Sequence, residues 1–306
     1  VRVPFGKRNL IGICCETSIE SMVPIDKLKF IISTETEIVF DKSMLKLLYF
    51  VSDYYHHPIG QTIMSVVPSR LKKNSLTSKK KELIFKADAS LTHEVIDNLP
   101  SRQLRLKKVA NAILKKDLRQ KDLNKLVSNG SECVDKLESM GLISLEVFIQ
   151  ETSRSKKDQL VLNKEQKKVI DEIKKTKSYK PWLIHGVTAS GKTEIYMNLI
   201  TEFLENSQSQ ALVLVPEINL TPQLEERFQN RFFDKKIVVL HSYLSDIERL
   251  DNWREAKIGN ADIVIGTRLG IFTPMPNLKI IIIDEEHDPS FKQSEGLRYH
   301  ARDVAM

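Results

Sequence analysis

Cysteine is scarce in this chain of 306 residues: only Cys14, Cys15 and Cys133 are present. Their odd number and the lack of any C-x-x-C spacing argue against a disulfide framework or a zinc site. A reducing cytoplasm is the expected compartment. Long apolar runs are missing too. The longest, 278–283, contains Lys279 and falls far short of the roughly 20 residues of a membrane helix, so it reads as a buried strand. No membrane partner is expected. No charged n-region and apolar h-region open the chain, so no secretory signal is read. Val1 falls inside an apparent strand, and both ends are expected to be cut.

What is present is the composition of a folded protein, 41% hydrophobic and 28% charged, enough for two or three globular units. The net charge of +7 is unevenly placed. Residues 1–160 hold 27 Lys and Arg against 19 Asp and Glu, and residues 161–306 hold 20 against 21. A basic half joined to a neutral half points to a polyanion partner for the first, although solvated charge alone would give the same balance.

Short runs such as VRVPF, LIGICC and LKFIIS, with a turn at Gly6, predict a small β-rich unit over 1–70. Within it, Leu45, Leu47, Leu48, Val51 and Tyr55 predict a helix from Ser43 to Tyr55, and a second short helix should end near Pro68. Residues 71–98, with their lysine and serine runs, read as a linker for which nucleic acid or water could be the partner. Residues 99–150 read as helix, turn, helix and short strand, an order that suits a winged helix. Their Arg102, Arg105, Lys107, Lys108, Lys115, Lys116 and Arg119 suit either a helix presented to a DNA groove or a basic solvated spacer. After a second linker at 151–162, residues 163–306 alternate strands, beginning with WLIHG, and helices. That pattern predicts an α/β lobe with a parallel sheet covered on both faces.

Chemistry concentrates at the carboxyl ends of those strands, where such folds bind ligands. Residues 186–193, GVTASGKT, satisfy G-x-x-x-x-G-K-[ST] between an apolar run and a helix. Backbone N–H groups of Gly186, Val187, Thr188, Ala189, Ser190 and Gly191 would close around phosphates. Lys192 would reach the β and γ oxygens, and the Thr193 hydroxyl would hold Mg²⁺. ATP with Mg²⁺ is the expected ligand. About 90 residues on, the apolar run ends in Asp284, Glu285, Glu286 and His287. Asp284 would hold the metal, mostly through water, and Glu285 would orient and deprotonate an attacking water. Glu286 and His287 are counted with the nucleotide-binding residues.

Beyond these two motifs, the strings LVPEINLTPQ (214–223), VLHSYLSDIERLDNW (239–253), IVIGTRLGIFTP (263–274) and DEEHDPSFKQSEGLRYHARDVA (284–305), with VRVPFGK and DYYHHPIGQ, make the chain resemble the PriA (primosomal protein N′) family of superfamily 2 replication-restart DNA helicases. The resemblance covers almost the full length. It implies a RecA-like P-loop motor lobe preceded by a β-rich domain for the 3′ end of a strand at a fork and by a winged helix. The activity it implies is an ATP-dependent 3′→5′ helicase on branched and single-stranded DNA. Single-strand-binding protein and other primosome proteins are the implied partners. The alternative is a module that binds forks and ATP without efficient turnover. Zinc belongs to the family too, with its cysteines and the second lobe's arginine finger expected beyond Met306.

The resemblance also assigns residues. Gly6 and Lys29 match the 3′-end pocket, whose aromatic and aspartate would precede Val1, although a turn glycine and a surface lysine would look the same. Thr267, Arg268, Phe291, Lys292, Gln293, Arg298 and Tyr299 match single-strand contacts. Basic residues among aromatics can hold phosphates and stack bases, yet Phe291 and Tyr299 could equally serve a core. Asn163 and Gln166 match adenine-side residues and would serve equally well as helix caps. The chain departs from the family's pattern at Ala189, Leu269, Phe291 and Leu297, the last removing one stacking surface.

Overall fold

The computed structural model describes residues 1–34, 39–72, 83–100, 102–127, 130–147, 162–176, 178–187, 190–205 and 208–306. They form two compact units, one built from Val1–Ser78 with Arg154–Met306 and the other from Lys79–Ser153.

The first unit opens on a hairpin in which β1 (Arg2–Phe5) pairs antiparallel with β2 (Arg8–Ile11). Its turn contains Gly6 at φ +59°, a left-handed conformation that glycine adopts without a Cβ penalty. Arg2 donates its N–H to Ser33 O at 2.8 Å and accepts from Ile32 N at 2.8 Å, which draws the returning chain alongside. Helices follow: α1 (Lys42–Tyr54), capped by the Asp41 carboxylate on Met44 N at 2.8 Å, α2 (Ile59–Val66), entered through Pro58, and α3 (Ser69–Lys72). The β-rich character expected over 1–70 is thus confined to the first part of that span. Leu48, Val51, Ile63 and Val67 are buried in one cluster with Leu250, Trp253 and Val304, so the helical part shares its core with the α/β lobe. Phe40 meets the Trp253 ring edge-on at 6.3 Å.

In the second unit, β3 (Leu83–Ala87) is followed by α4 (His93–Asp97), α5 (Leu104–Lys115), β4 (Leu118–Arg119), α6 (Gln120–Leu126), α7 (Gly130–Ser139) and β5 (Ile143–Val147). The sheet order is β4-β3-β5, antiparallel throughout. Here the linker expected over 71–98 is corrected, because residues 83–98 supply the central strand and a helix. Phe85, Leu91 and Ile96 are buried among Leu106, Val109, Ile113 and Leu137. Five strand residues between a lysine run and Asp88 are too short a signal to stand out from their polar surroundings.

The lobe contains α8 (Lys164–Lys174), α9 (Lys192–Phe203), β6 (Gln210–Leu214), α10 (Pro222–Arg231), β7 (Ile237–Leu240), α11 (Asp246–Lys257), β8 (Ile263–Gly266), β9 (Leu278–Ile283) and α12 (Ala301–Ala305). All four strands are parallel, in the order β7-β8-β6-β9. Alternation along β6 divides its burial between two cores. Leu212 and Leu214 join Val238, Leu250 and Val264, while Ala211 and Val213 join Met197, Ile200, Phe228 and Ile265. This α/β lobe fits a RecA-like motor. One strand expectation fails: residues 182–186, WLIHG, form no strand, and Trp182 and Leu183 stand 41% and 75% exposed. An apolar run becomes a strand only where a ladder takes its backbone groups. Among the described residues, β9 is therefore at the edge of the sheet. No described helix is long and apolar enough to cross a membrane.

Candidate functional site

The loop before α9 is assembled from both sides. Gly191, at φ +83°, is the N-cap of α9, and a Cβ there would collide with the Gln166 amide. That amide donates to Ser190 O at 3.1 Å. Gln166 is held in turn by a reciprocal cap at the start of α8: its side-chain oxygen accepts Asn163 N at 2.9 Å, and the Asn163 side chain accepts Gln166 N at 2.8 Å. Asn163 and Gln166 therefore cap a helix, and Gln166 grips the loop as well. Lys192 Nζ donates to Gly186 O at 2.7 Å and Val187 O at 3.1 Å, folding its ammonium across the loop mouth. A triphosphate would offer that ammonium stronger acceptors than two carbonyls do. Thr188 and Ala189 lie outside the described residues.

The acidic box faces this loop from the carboxyl end of β9. Asp284 N donates to Leu214 O at 2.9 Å, so the ladder still holds the backbone where the carboxylate departs. Asp284 Oδ2 accepts the Tyr196 hydroxyl at 3.1 Å. Burial foremost pushes the Asp284 carboxyl above its ordinary range, against the opposing effect of the Tyr196 hydrogen bond. Burial foremost, then the Asp284 charge, pushes the Tyr196 phenol up as well. Such a carboxylate suits a cation: a divalent ion would relieve the cost of holding its charge away from water. Thr193 stands one turn before Tyr196 on α9, so its hydroxyl leaves the same face of the helix as the ring whose hydroxyl meets Asp284. No group of three His, Cys, Asp or Glu side chains clusters among the described residues. The donor set suits Mg²⁺, which takes one or two protein oxygens and fills its shell with water and substrate phosphates.

Glu285 is exposed and holds φ +49°, a left-handed conformation costly for a residue with a Cβ and found often at functional sites. Glu286 Oε2 accepts Arg302 Nη1 at 2.8 Å, which ties the box to α12. His287 is exposed.

The residues matched to single-strand contacts divide sharply. Lys292 and Arg298 are exposed, and Gln293 is half-buried. Phe291 is fully buried and Tyr299 is 2% exposed, its ring packed edge-on against Phe272 at 4.9 Å. Both are core residues here, which corrects the stacking role expected of them: a ring enclosed by neighbours has no face to offer a base. Leu297 is buried in the same cluster. Thr267 is buried, and Arg268 Nη1 donates to Ser290 O at 2.8 Å and Lys292 O at 3.0 Å. Its guanidinium holds the 288–299 loop in place. Of the 3′-end pair, Gly6 forms the hairpin turn and Lys29 is exposed.

Comparison with known proteins now adds to the geometry. Residues 163–305 match the DEAD/DEAH box helicase family, and residues 1–68 match the 3′ DNA-binding domain (3′BD) of PriA. Replication restart protein PriA of Haemophilus influenzae is 36% identical over 100% of this chain and 43% of its own length. The PriA of Chlamydia pneumoniae is 35% identical over 89% of the chain and 38% of that protein. The Bacillus subtilis PriA is 45% identical over 51% of the chain and 20% of that protein. The chain belongs to the PriA family. It spans less than half the length of these relatives.

In this PriA-family chain, two groups at the site escaped sequence reasoning, and so did the hydrogen-bond partners of a third. Tyr196 carries no motif signal of its own, although its spacing of three from Thr193 places both on one face of α9. The Glu286 partner, Arg302, lies sixteen residues on, beyond any helical spacing. Arg268 was read for its charge, yet its hydrogen bonds go to backbone carbonyls.

Proposed function

We propose that these 306 residues serve an ATP-dependent 3′→5′ DNA helicase that recognises stalled or branched forks and starts replication restart. Residues 1–72 bind the 3′ end of a strand through the β1–β2 hairpin, with Gly6 and Lys29 as contacts. Residues 79–153 act as a winged helix on DNA, a reading supported by the four described helices beside a small antiparallel sheet and by the basic α5. Lys292, Gln293 and Arg298 meet single-stranded DNA at the lobe surface. Single-strand-binding protein and other primosome proteins are the proposed protein partners.

The carrying observation is that Tyr196, one turn after Thr193 in α9, donates its hydroxyl to Asp284 at the end of β9, which brings the helix of the P-loop to the acidic box. Gly186, Val187, Ser190 and Gly191 present backbone N–H groups to the phosphates, and the N-terminus of α9 adds its positive end. Lys192 leaves its two carbonyl partners for the β and γ oxygens. Thr193 and Asp284 hold Mg²⁺, which neutralises charge on the phosphate oxygens when bound. Glu285, exposed beside Asp284, orients water toward the γ-phosphate and takes its proton.

One observation favours efficient binding with slow turnover in these 306 residues. The Arg302 guanidinium is committed to Glu286 and Asp303, and that of Arg268 to Ser290 and Lys292. Each guanidinium would have to leave these partners to stabilise charge across the γ-phosphate. Lys192→Ala tests the division of labour, with nucleotide and fork affinities titrated separately. Nucleotide binding should collapse while fork binding stays close to wild type, and equal loss of both would refute it.

A further inference from the structure

We propose that Tyr196 is a positioning residue that holds the Asp284 carboxylate and fixes which of its oxygens faces the cation. The inference rests on the nucleotide site proposed above and deepens it. Tyr196 follows Thr193 by one helical turn, so both side chains leave the same face of α9. Its ring is 4% exposed and packed nearly parallel to Phe228, at 22° with centroids 6.3 Å apart, which restricts where the hydroxyl can go. That hydroxyl donates to Asp284 Oδ2 at 3.1 Å.

The direction of the hydrogen bond follows from proton count: an ionised carboxylate only accepts, so the Tyr196 proton must point to Asp284. Asp284 keeps Oδ1 for a cation or its water. One buried hydroxyl thus sets the orientation of the carboxylate before Mg²⁺ arrives. Mg²⁺ demands near-ideal octahedral geometry, so disorder in that carboxylate should weaken it.

The test uses the full 306-residue chain and a fluorescent methylanthraniloyl-ATP, titrated with Mg²⁺ and, separately, in EDTA. For Tyr196→Phe, which removes only the hydroxyl, the Mg²⁺ concentration giving half-maximal tight nucleotide binding should rise on the order of 10-fold, the lower end for loss of an outer-shell partner. Affinity in EDTA should not change. In an Asp284→Asn background the same substitution should add little, because the group it positions has lost its charge. An unchanged Mg²⁺ midpoint in Tyr196→Phe, or equal losses with and without Mg²⁺, overturns the proposal. Should that variant fail to fold, the unmutated chain grown with 3-fluorotyrosine, whose hydroxyl is a stronger donor, should shift the Mg²⁺ midpoint alone, and no shift overturns it. Lys192→Ala separates the two claims. If wild type binds Mg²⁺-nucleotide, Lys192→Ala does not and Tyr196→Phe matches wild type, the site stands and the role of Tyr196 falls. If wild type shows no binding, both fall.

Discussion

The Tyr55 hydroxyl, just past the end of α1, accepts the backbone N–H of His300 at 3.3 Å, across 245 residues of chain. His300 caps α12, where Arg302 reaches back to Glu286 of the acidic box. The helical part of the N-terminal segment is thus built into the lobe, with Leu48 and Val51 inaccessible in the shared core. Leu48→Ala should therefore destabilise the α/β lobe by about 2–5 kcal/mol, the usual range for a buried leucine. In urea unfolding, the transition that the substitution moves to lower denaturant should be the one that Mg²⁺-ATP moves to higher denaturant. A transition moved by the substitution but not by Mg²⁺-ATP would show that the shared core is not cooperative.

Phe291→Ala distinguishes a core ring from a base-stacking one. Its ring is inaccessible, so truncation should cost about 3–5 kcal/mol of stability. Single-strand affinity, measured where the variant is folded, should barely change. Loss of about 1–3 kcal/mol in DNA binding at unchanged stability would restore the stacking role.

Lys292 and Arg298 are exposed on the same loop and should carry the DNA contacts that the buried rings do not. The double substitution Lys292→Ala, Arg298→Ala should lower single-strand affinity while leaving the urea midpoint in place. It should also flatten the slope of log K against log salt, because each phosphate contact releases counterions. An unaltered slope argues against contact by this loop.

For the whole chain, that slope should be steep, given the excess of basic residues in 1–160. A fork-binding constant insensitive to salt would remove the polyanion reading of this half.

Hydrolysis by the 306 residues should be slow even with fork DNA, since an arginine across the γ-phosphate contributes about 10³–10⁵ in rate. Glu285→Gln should abolish the residual hydrolysis and spare ATP binding. Full DNA-stimulated turnover would mean that Arg302 or another cation leaves its partner to serve the reaction.

Much of the lobe was legible in the sequence because its signals are local. The G-x-x-x-x-G-K-T spacing places Lys192 and Thr193 at a helix start by covalent connectivity alone, and the apolar run before Asp284 marks a strand end. The parallel sheet followed from alternating Val/Ile-rich runs and helical periods. Sequence could not decide which rings face DNA. Phe291 and Tyr299 stand among lysines and arginines in the chain, yet packing with Phe272 and Leu297 encloses them. Nor could it show that WLIHG lacks a ladder, or that residues 83–98 find one, since pairing depends on a distant partner. The Tyr196 bond to Asp284 spans 88 residues, and Glu286 meets Arg302 only where the chain turns back into α12. Residue type and spacing determined the chemistry available to this protein. The fold decided which groups meet, because hydrogen bonds and burial depend on distances that the chain acquires only on packing.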